Sequence, residues 1–201
     1  MTYDTYLELC SSIPDNTELL DGEPSLMASP IDKHQIAVKN LLTFFGVYLG
    51  NGRCTVYSDL DVILDSFNAP RPDILIVCDD SKIKEGKCYG VPDFIAEVLS
   101  PSTHKIDLGL PNRYKKNKLK LYQKYGVPEY WIINADKKSV IVNLLVGSRY
   151  VATKYFYPAT DILYSQKFPS FPVSLKGIFN EFNDKEFREY LITLINLGSL
   201  L

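Results

Sequence analysis

Three stretches decide the fold: RPDILIVCD (71–79), PDFIAEVLS (92–100) and EYWIINA (129–135). Each is rich in β-branched or aromatic residues and bounded by Pro, Asp or Ser, the pattern of strands whose side chains are largely covered. On either side, CTVYSDLDVILD (54–65), SVIVNLLV (139–146) and YVATKYFY (150–157) read as further strands, with Asp136-Lys137-Lys138 as the turn after EYWIINA. Between the strands lie helical segments. Ile36, Leu41, Phe44, Phe45 and Tyr48 approximate helical spacing over residues 33–49, with Asp32 as the expected cap and Gly50-Asn51-Gly52 as the stop. A second helix is expected from about Pro111 to Tyr125, ended by Gly126.

At the start, TYDTYLEL suits a short helix, and TELLDGEPSLMAS reads as a hairpin turning at Asp21-Gly22, because Asp-Gly supplies the positive φ of a tight turn. Towards the end, FPSFPVSL is a proline-punctuated crossing and the segment from about Gly177 to Gly198 a terminal amphipathic helix. That helix packs within the chain or, alternatively, forms a homodimer contact. Helices and strands in this order indicate an α/β (α+β) fold, a mixed β-sheet flanked by helices with an N-terminal β-hairpin. With 201 residues, 46% of them apolar and 23% charged, no repeat and no linker, one domain spanning 1–201 is expected.

Charge excludes one class of partner recognition. The chain has 22 Lys+Arg against 24 Asp+Glu, so no overall positive field recruits a polyanion and nucleic-acid contact must come from a local patch. No apolar run approaches the ~20 residues that span a bilayer. The start, MTYDTYLELC, lacks the basic and apolar regions of a signal peptide, so a cytoplasmic location is expected. Cys10, Cys54, Cys78 and Cys88 form no CxxC pair and lie near no histidines at zinc-finger spacing; they read as free thiols in a reducing compartment.

Two residues break the apolar pattern. Asp73 opens one strand, and Glu97 lies inside another between Ala96 and Val98. An ionised carboxylate facing a sheet core is costly unless it is paired or bound to a metal, so Glu97 either borders a cleft, is compensated, or faces solvent. In the following helix, 100° of rotation per residue gathers Tyr114, Leu121, Tyr122 and Tyr125 into one stripe with Lys118 in its middle. Lys115, Lys116, Lys120 and Lys124 point sideways or away. Two carboxylates on neighbouring strands and one inward lysine suit Mg²⁺ (or Mn²⁺), which prefers one or two carboxylates and otherwise water and phosphate oxygens. The lysine can then orient or deprotonate water and stabilise phosphoryl charge, which is the chemistry of phosphodiester hydrolysis.

The series RPDILIVCDDSK, GVPDFIAEVLSPST and GVPEYWIINAD, in this order and together with TYDTYLEL, the ELLDGE hairpin and Lys33-His34-Gln35, resembles the Uma-type family (the second so named) of restriction-endonuclease-like proteins, within the PD-(D/E)xK nuclease superfamily. The resemblance implies that Asp73 and Glu97 bind the divalent metal, with the Val98 carbonyl as a further ligand. The superfamily's usual lysine position, two residues after the glutamate, is Leu99 here. The family pattern Lys-Leu-x-x-Tyr before Gly-Val fits Lys118 to Tyr122 and implies a lysine supplied by the helix. Ten residues, LGLPNRYKKN, lie between Asp107 and Lys118, a longer connection than the family's, which leaves Lys115 and Lys116 as alternatives.

Glu18 and His34 are auxiliary candidates, each with an alternative role, Glu18 in the hairpin and His34 at a helix end. Ser100, Ser102 and Thr103 are expected to cap the turn after the Glu97 strand, and Trp131 to lie in the core. Arg113, Lys115, Lys116, Lys118, Lys120 and Lys124 concentrate six cations into twelve residues, a candidate contact for DNA phosphates or simply a solvated helix face. The expected activity is a metal-dependent endonuclease acting on DNA; the alternative is an inactive nuclease fold used to bind nucleic acid or protein.

Overall fold

A computed structural model describes the chain except residues 10–13, 15, 28, 101–103, 109–116 and 200–201 and the side chains of 104 and 105. Helix α1 (Tyr3–Glu8), capped by the Thr2 hydroxyl, leads to a hairpin of β1 (Thr17–Leu20) and β2 (Glu23–Leu26). Its two-residue turn has Asp21 at φ 52° and Gly22 at φ 74°, the doubly left-handed geometry that Asp-Gly favours. Helix α2 (Asp32–Leu49) follows. Asp32 is its first helical residue and not its cap; Ile31 holds that position without a side-chain hydrogen bond, while Asp32 opposes the helix dipole in the first turn.

The central sheet is assembled from β3 (Thr55–Tyr57), then, after the short β4 (Val62–Ile63), β5 (Ile74–Val77). The minor strands β6 (Ile83–Lys84) and β7 (Lys87–Tyr89) precede β8 (Phe94–Val98). Helices α3 (His104–Asp107) and α4 (Lys118–Tyr125) then carry the chain to β9 (Glu129–Asn134), β10 (Ser139–Val146) and β11 (Arg149–Phe156). Strand order is β11-β10-β9-β8-β5-β3, antiparallel except for the parallel β8–β9 pair. A parallel pair cannot be joined by a tight turn, and the α3–α4 crossover answers that requirement. Strands β4, β7 and β6 make a separate small sheet. The chain closes with β12 (Ile162–Tyr164) pairing β13 (Pro172–Ser174), then α5 (Leu175–Ile178) and α6 (Asp184–Gly198).

Alternation along the strands divides the core between two faces. Ile74, Ile76, Phe94, Ala96, Trp131 and Ile133 face α2, α5 and α6, where they meet Leu41, Phe44, Phe45 and Tyr48. Leu75, Val77, Ile95, Tyr130 and Ile132 face the other way, against Tyr122 of α4, Val127 and the small sheet. Each large side chain so covered contributes about 1.5–3 kcal/mol. Trp131 is wholly buried, as its strand predicts.

Three further expectations are corrected. The helix expected from Pro111 starts at Lys118, because Asn117 has extended backbone and its side chain caps the Lys120 amide; residues 111–116 lie outside those described. The terminal helix starts at Asp184 and not near Gly177, since Asn180 turns left-handed (φ 59°) and Asn183 with Glu186 forms a reciprocal capping box. Helix α6 packs within the chain on α2, so closely that a Cβ on Gly198 would stand 2.1 Å from the Tyr48 carbonyl oxygen. The thiols are not all free: Cys54 and Cys78 form a disulfide. Thr55 pairs with Val77, so the two cysteines stand opposite each other one step beyond the β3–β5 ladder. Cys88 is free and buried, and Cys10 lies outside the described residues.

Candidate active site

The β5–β8 register determines where the two acids go. Ile74 pairs with Ala96, so Asp73, just before β5, stands opposite Glu97, the fourth residue of β8. Directly opposed residues share a face with Cβ atoms about 4.5–5.5 Å apart. Both therefore point to the α4 side of the sheet, and both are buried. Asp73 Oδ2 accepts a hydrogen bond from the Val98 amide at 2.7 Å and lies 3.3 Å from His34 Nε2, brought in by the first turn of α2. His34 Nδ1 is buried and has no partner among the described residues.

Lys118, the first residue of α4, enters between the acids. Its Nζ lies 2.8 Å from Glu97 Oε1, 3.0 Å from Glu18 Oε2 and 3.9 Å from Asp107 Oδ1. One helical turn later, the Tyr122 hydroxyl donates to the same Glu97 oxygen at 3.0 Å. Glu18 comes from β1 and also accepts the Arg71 amide at 3.1 Å, tying the hairpin to the segment that carries Asp73. Asp107 arrives at the end of α3.

Three buried carboxylates, Glu18, Glu97 and Asp107, thus gather around one buried ammonium, with the fourth, Asp73, opposite Glu97 and held by His34 and the Val98 amide. Burial pulls the Lys118 proton affinity down, but Glu18, Glu97 and Asp107 more than reverse this and hold it well above the ordinary lysine range. Burial pushes Glu97 well above the usual carboxylate range; Lys118 opposes the rise, while Asp107, Asp73 and Glu18 reinforce it. His34 is raised as well: burial lowers it, and its contact with Asp73 outweighs the burial. The cluster is short of positive charge, which a hard divalent cation would supply. No group of three His, Cys, Asp or Glu side chains among the described residues forms a ready metal cage. Asp73 and Glu97 suit instead a Mg²⁺-like ion that keeps water and substrate oxygens as its remaining ligands.

A cavity of about 330 Å³ opens onto this cluster, and Glu18, His34, Asp73, Glu97, Val98 and Lys118 all line it. The expected site residues therefore converge there, Glu18 and His34 included. Lys120 does not: it is exposed on α4. Arg113, Lys115 and Lys116, with Ser102 and Thr103, lie outside the described residues. Sequence reasoning assigned no role to Tyr122, although its spacing of four from Lys118 places both on one helical face. It also assigned none to Asp107, an isolated acid with no periodic signal.

The Uma2 sequence family, described as "Putative restriction endonuclease", matches residues 3–175. The chain belongs to this family. A Synechocystis sp. protein recorded as uncharacterised is 31% identical over 106 residues, which is 52% of this chain; the match spans only 56% of that protein's length. The crystal structure of a protein from Anabaena variabilis, titled a putative nuclease belonging to DUF820, superposes with a TM-score of 0.68 at 19% identity, covering 90% of this chain and 98% of that one. At that identity the likeness shows the fold, and it agrees with the mixed sheet flanked by helices.

Proposed function

We propose that this protein is a Mg²⁺- or Mn²⁺-dependent endonuclease that hydrolyses DNA phosphodiester bonds at Asp73, Glu97 and Lys118, a PD-(D/E)xK-type site whose lysine comes from a helix. The observation that carries this reading is the register that sets Asp73 opposite Glu97, with Lys118 Nζ 2.8 Å from Glu97. Asp73, Glu97 and the Val98 carbonyl would hold the ion. When bound, it supplies Lewis-acid polarisation of phosphoryl oxygens and eases deprotonation of water.

The chain's own groups do the rest. Lys118, released from part of its carboxylate contact, places its ammonium against phosphoryl oxygens, where it stabilises charge that grows in the transition state. Glu18 holds Lys118 from the hairpin side, and His34 fixes the orientation of the Asp73 carboxylate. A water oxygen forms a new bond to phosphorus as the bond to one sugar oxygen breaks; the water gives up a proton and the departing oxygen takes one up. Lys120, with Arg113, Lys115 and Lys116 of the same sequence run, supplies contacts for backbone phosphates, making binding fall steeply with salt.

Incubation with supercoiled plasmid and single-stranded DNA tests the proposal. Cleavage is expected with Mg²⁺ or Mn²⁺, is lost in EDTA, and falls at least about 100-fold in folded Asp73→Ala and Glu97→Ala proteins. Equal behaviour of wild type and both variants contradicts it and favours a nuclease fold used for binding.

A further inference from the structure

We infer that the cleft takes a single, unstacked nucleotide strand in preference to intact duplex, a reading that rests on the nuclease assignment above. The reactive groups lie at the bottom of the cavity: Lys118 is 3%, Glu97 4% and Asp73 8% exposed. At about 330 Å³ the space is at the small end of ligand sites, which span about 300–1,000 Å³, and it is sized for one nucleotide. A duplex is a stiff rod with a persistence length of about 150 bp. To reach a floor this deep, its strand must leave the stack, at a cost of a few kcal/mol that a single strand or frayed end does not bear.

The chemistry of the walls points the same way. Duplex binding relies on an array of cations against phosphates. Among the described residues lining this cleft, the cations besides His34 are Lys118, held by its acids, and Arg71, whose Nε donates to Asp61 at 2.7 Å. The walls towards the mouth carry Met27 at the end of the hairpin, Pro30 before α2 and Val38 on the α2 face that bears His34. Apolar surface of this kind suits the face of an unstacked base, which a paired base keeps covered. Gln35, exposed beside them, is an amide able to pair with a base edge, and Asn16, whose Nδ2 donates to the Met27 carbonyl at 2.9 Å, presents its amide oxygen as an acceptor.

The test uses the full chain with fluorescein-labelled 12-nucleotide single strands, the matching blunt duplex, and duplex with a six-nucleotide overhang, in Mn²⁺. Single strand and overhang are expected to be cut at least 10-fold faster than blunt duplex, with overhang cuts confined to the unpaired part. Met27→Glu, placing a carboxylate on the apolar wall, is expected to reduce this preference at least threefold without changing Mn²⁺ affinity. Equal or faster cutting of blunt duplex overturns the inference and leaves the nuclease assignment standing. If nothing is cut, the nuclease assignment fails, and anisotropy with the same oligonucleotides decides the occupant: single strands bound 10-fold tighter support it, and duplex bound as tightly overturns it.

Discussion

Among the described residues Lys118 is the one buried ammonium within 4 Å of Glu18, Glu97 and Asp107, so its removal leaves those acids facing one another. Breaking a buried ion pair from one side costs about 3–5 kcal/mol. Lys118→Met is expected to lose that much in urea unfolding at neutral pH in EDTA and to regain part of it in millimolar Mn²⁺; a loss under 1 kcal/mol in EDTA would show that the acids are not charge-coupled to it. Burial also pushes the Cys88 thiol from 9.0 to about 11. The folded chain keeps a proton that the unfolded chain releases near pH 9, so this group's contribution to stability declines as pH rises between 9 and 11. Iodoacetamide at pH 8 should therefore modify the Cys88 peptide far more slowly in the native protein than in urea, as mass spectrometry of the digest can measure. At this scale Asp73, Glu97 and Lys118 were legible because each is a charge where periodicity demands an apolar side chain. Asp107 was not, since a lone acid in a connection looks like any solvated loop residue.

At the scale of elements, Glu129 joins the sheet to the segment after β12. Buried in β9, it accepts the Trp131 indole N–H at 2.7 Å, the Ser165 hydroxyl at 2.8 Å and the Lys167 amide at 2.9 Å. Burial raises its proton affinity, and these donors oppose the rise. Glu129→Gln replaces one accepting oxygen with a donor and strands a buried N–H or O–H, a loss of about 1–3 kcal/mol. Thermal unfolding checks this, and an unchanged midpoint would place the anchor elsewhere. The main strands were readable because their apolar runs are long, whereas β4, β6 and β7, of two or three residues each, carry no detectable period. The start of α6 was misplaced although Asn183-x-x-Glu186 spells a capping box, because the apolar spacing of Ile178, Phe179 and Phe182 continues the helical pattern upstream of it. The Cys54–Cys78 bond left no trace in the spacing of 24 residues; only the β3–β5 register exposes it.

For the whole molecule, a six-stranded sheet covered on both faces makes the site a product of topology. Strands β5 and β8, the hairpin, α2, α3 and α4 each deliver one or two groups to one cleft, so its geometry depends on long-range packing that a linear reading cannot set. Fold class and the two acids follow from local pattern; the burial of Glu18 and the approach of His34 follow from how the hairpin and α2 close over the sheet end. No helix among the described residues is long and apolar enough to cross a membrane. The decisive measurement is anomalous scattering from crystals of the protein soaked in Mn²⁺. One strong peak is expected between the carboxylates of Asp73 and Glu97, absent from Glu97→Ala crystals; a cleft without a peak, or one unchanged by that substitution, would contradict a metal held by these two acids.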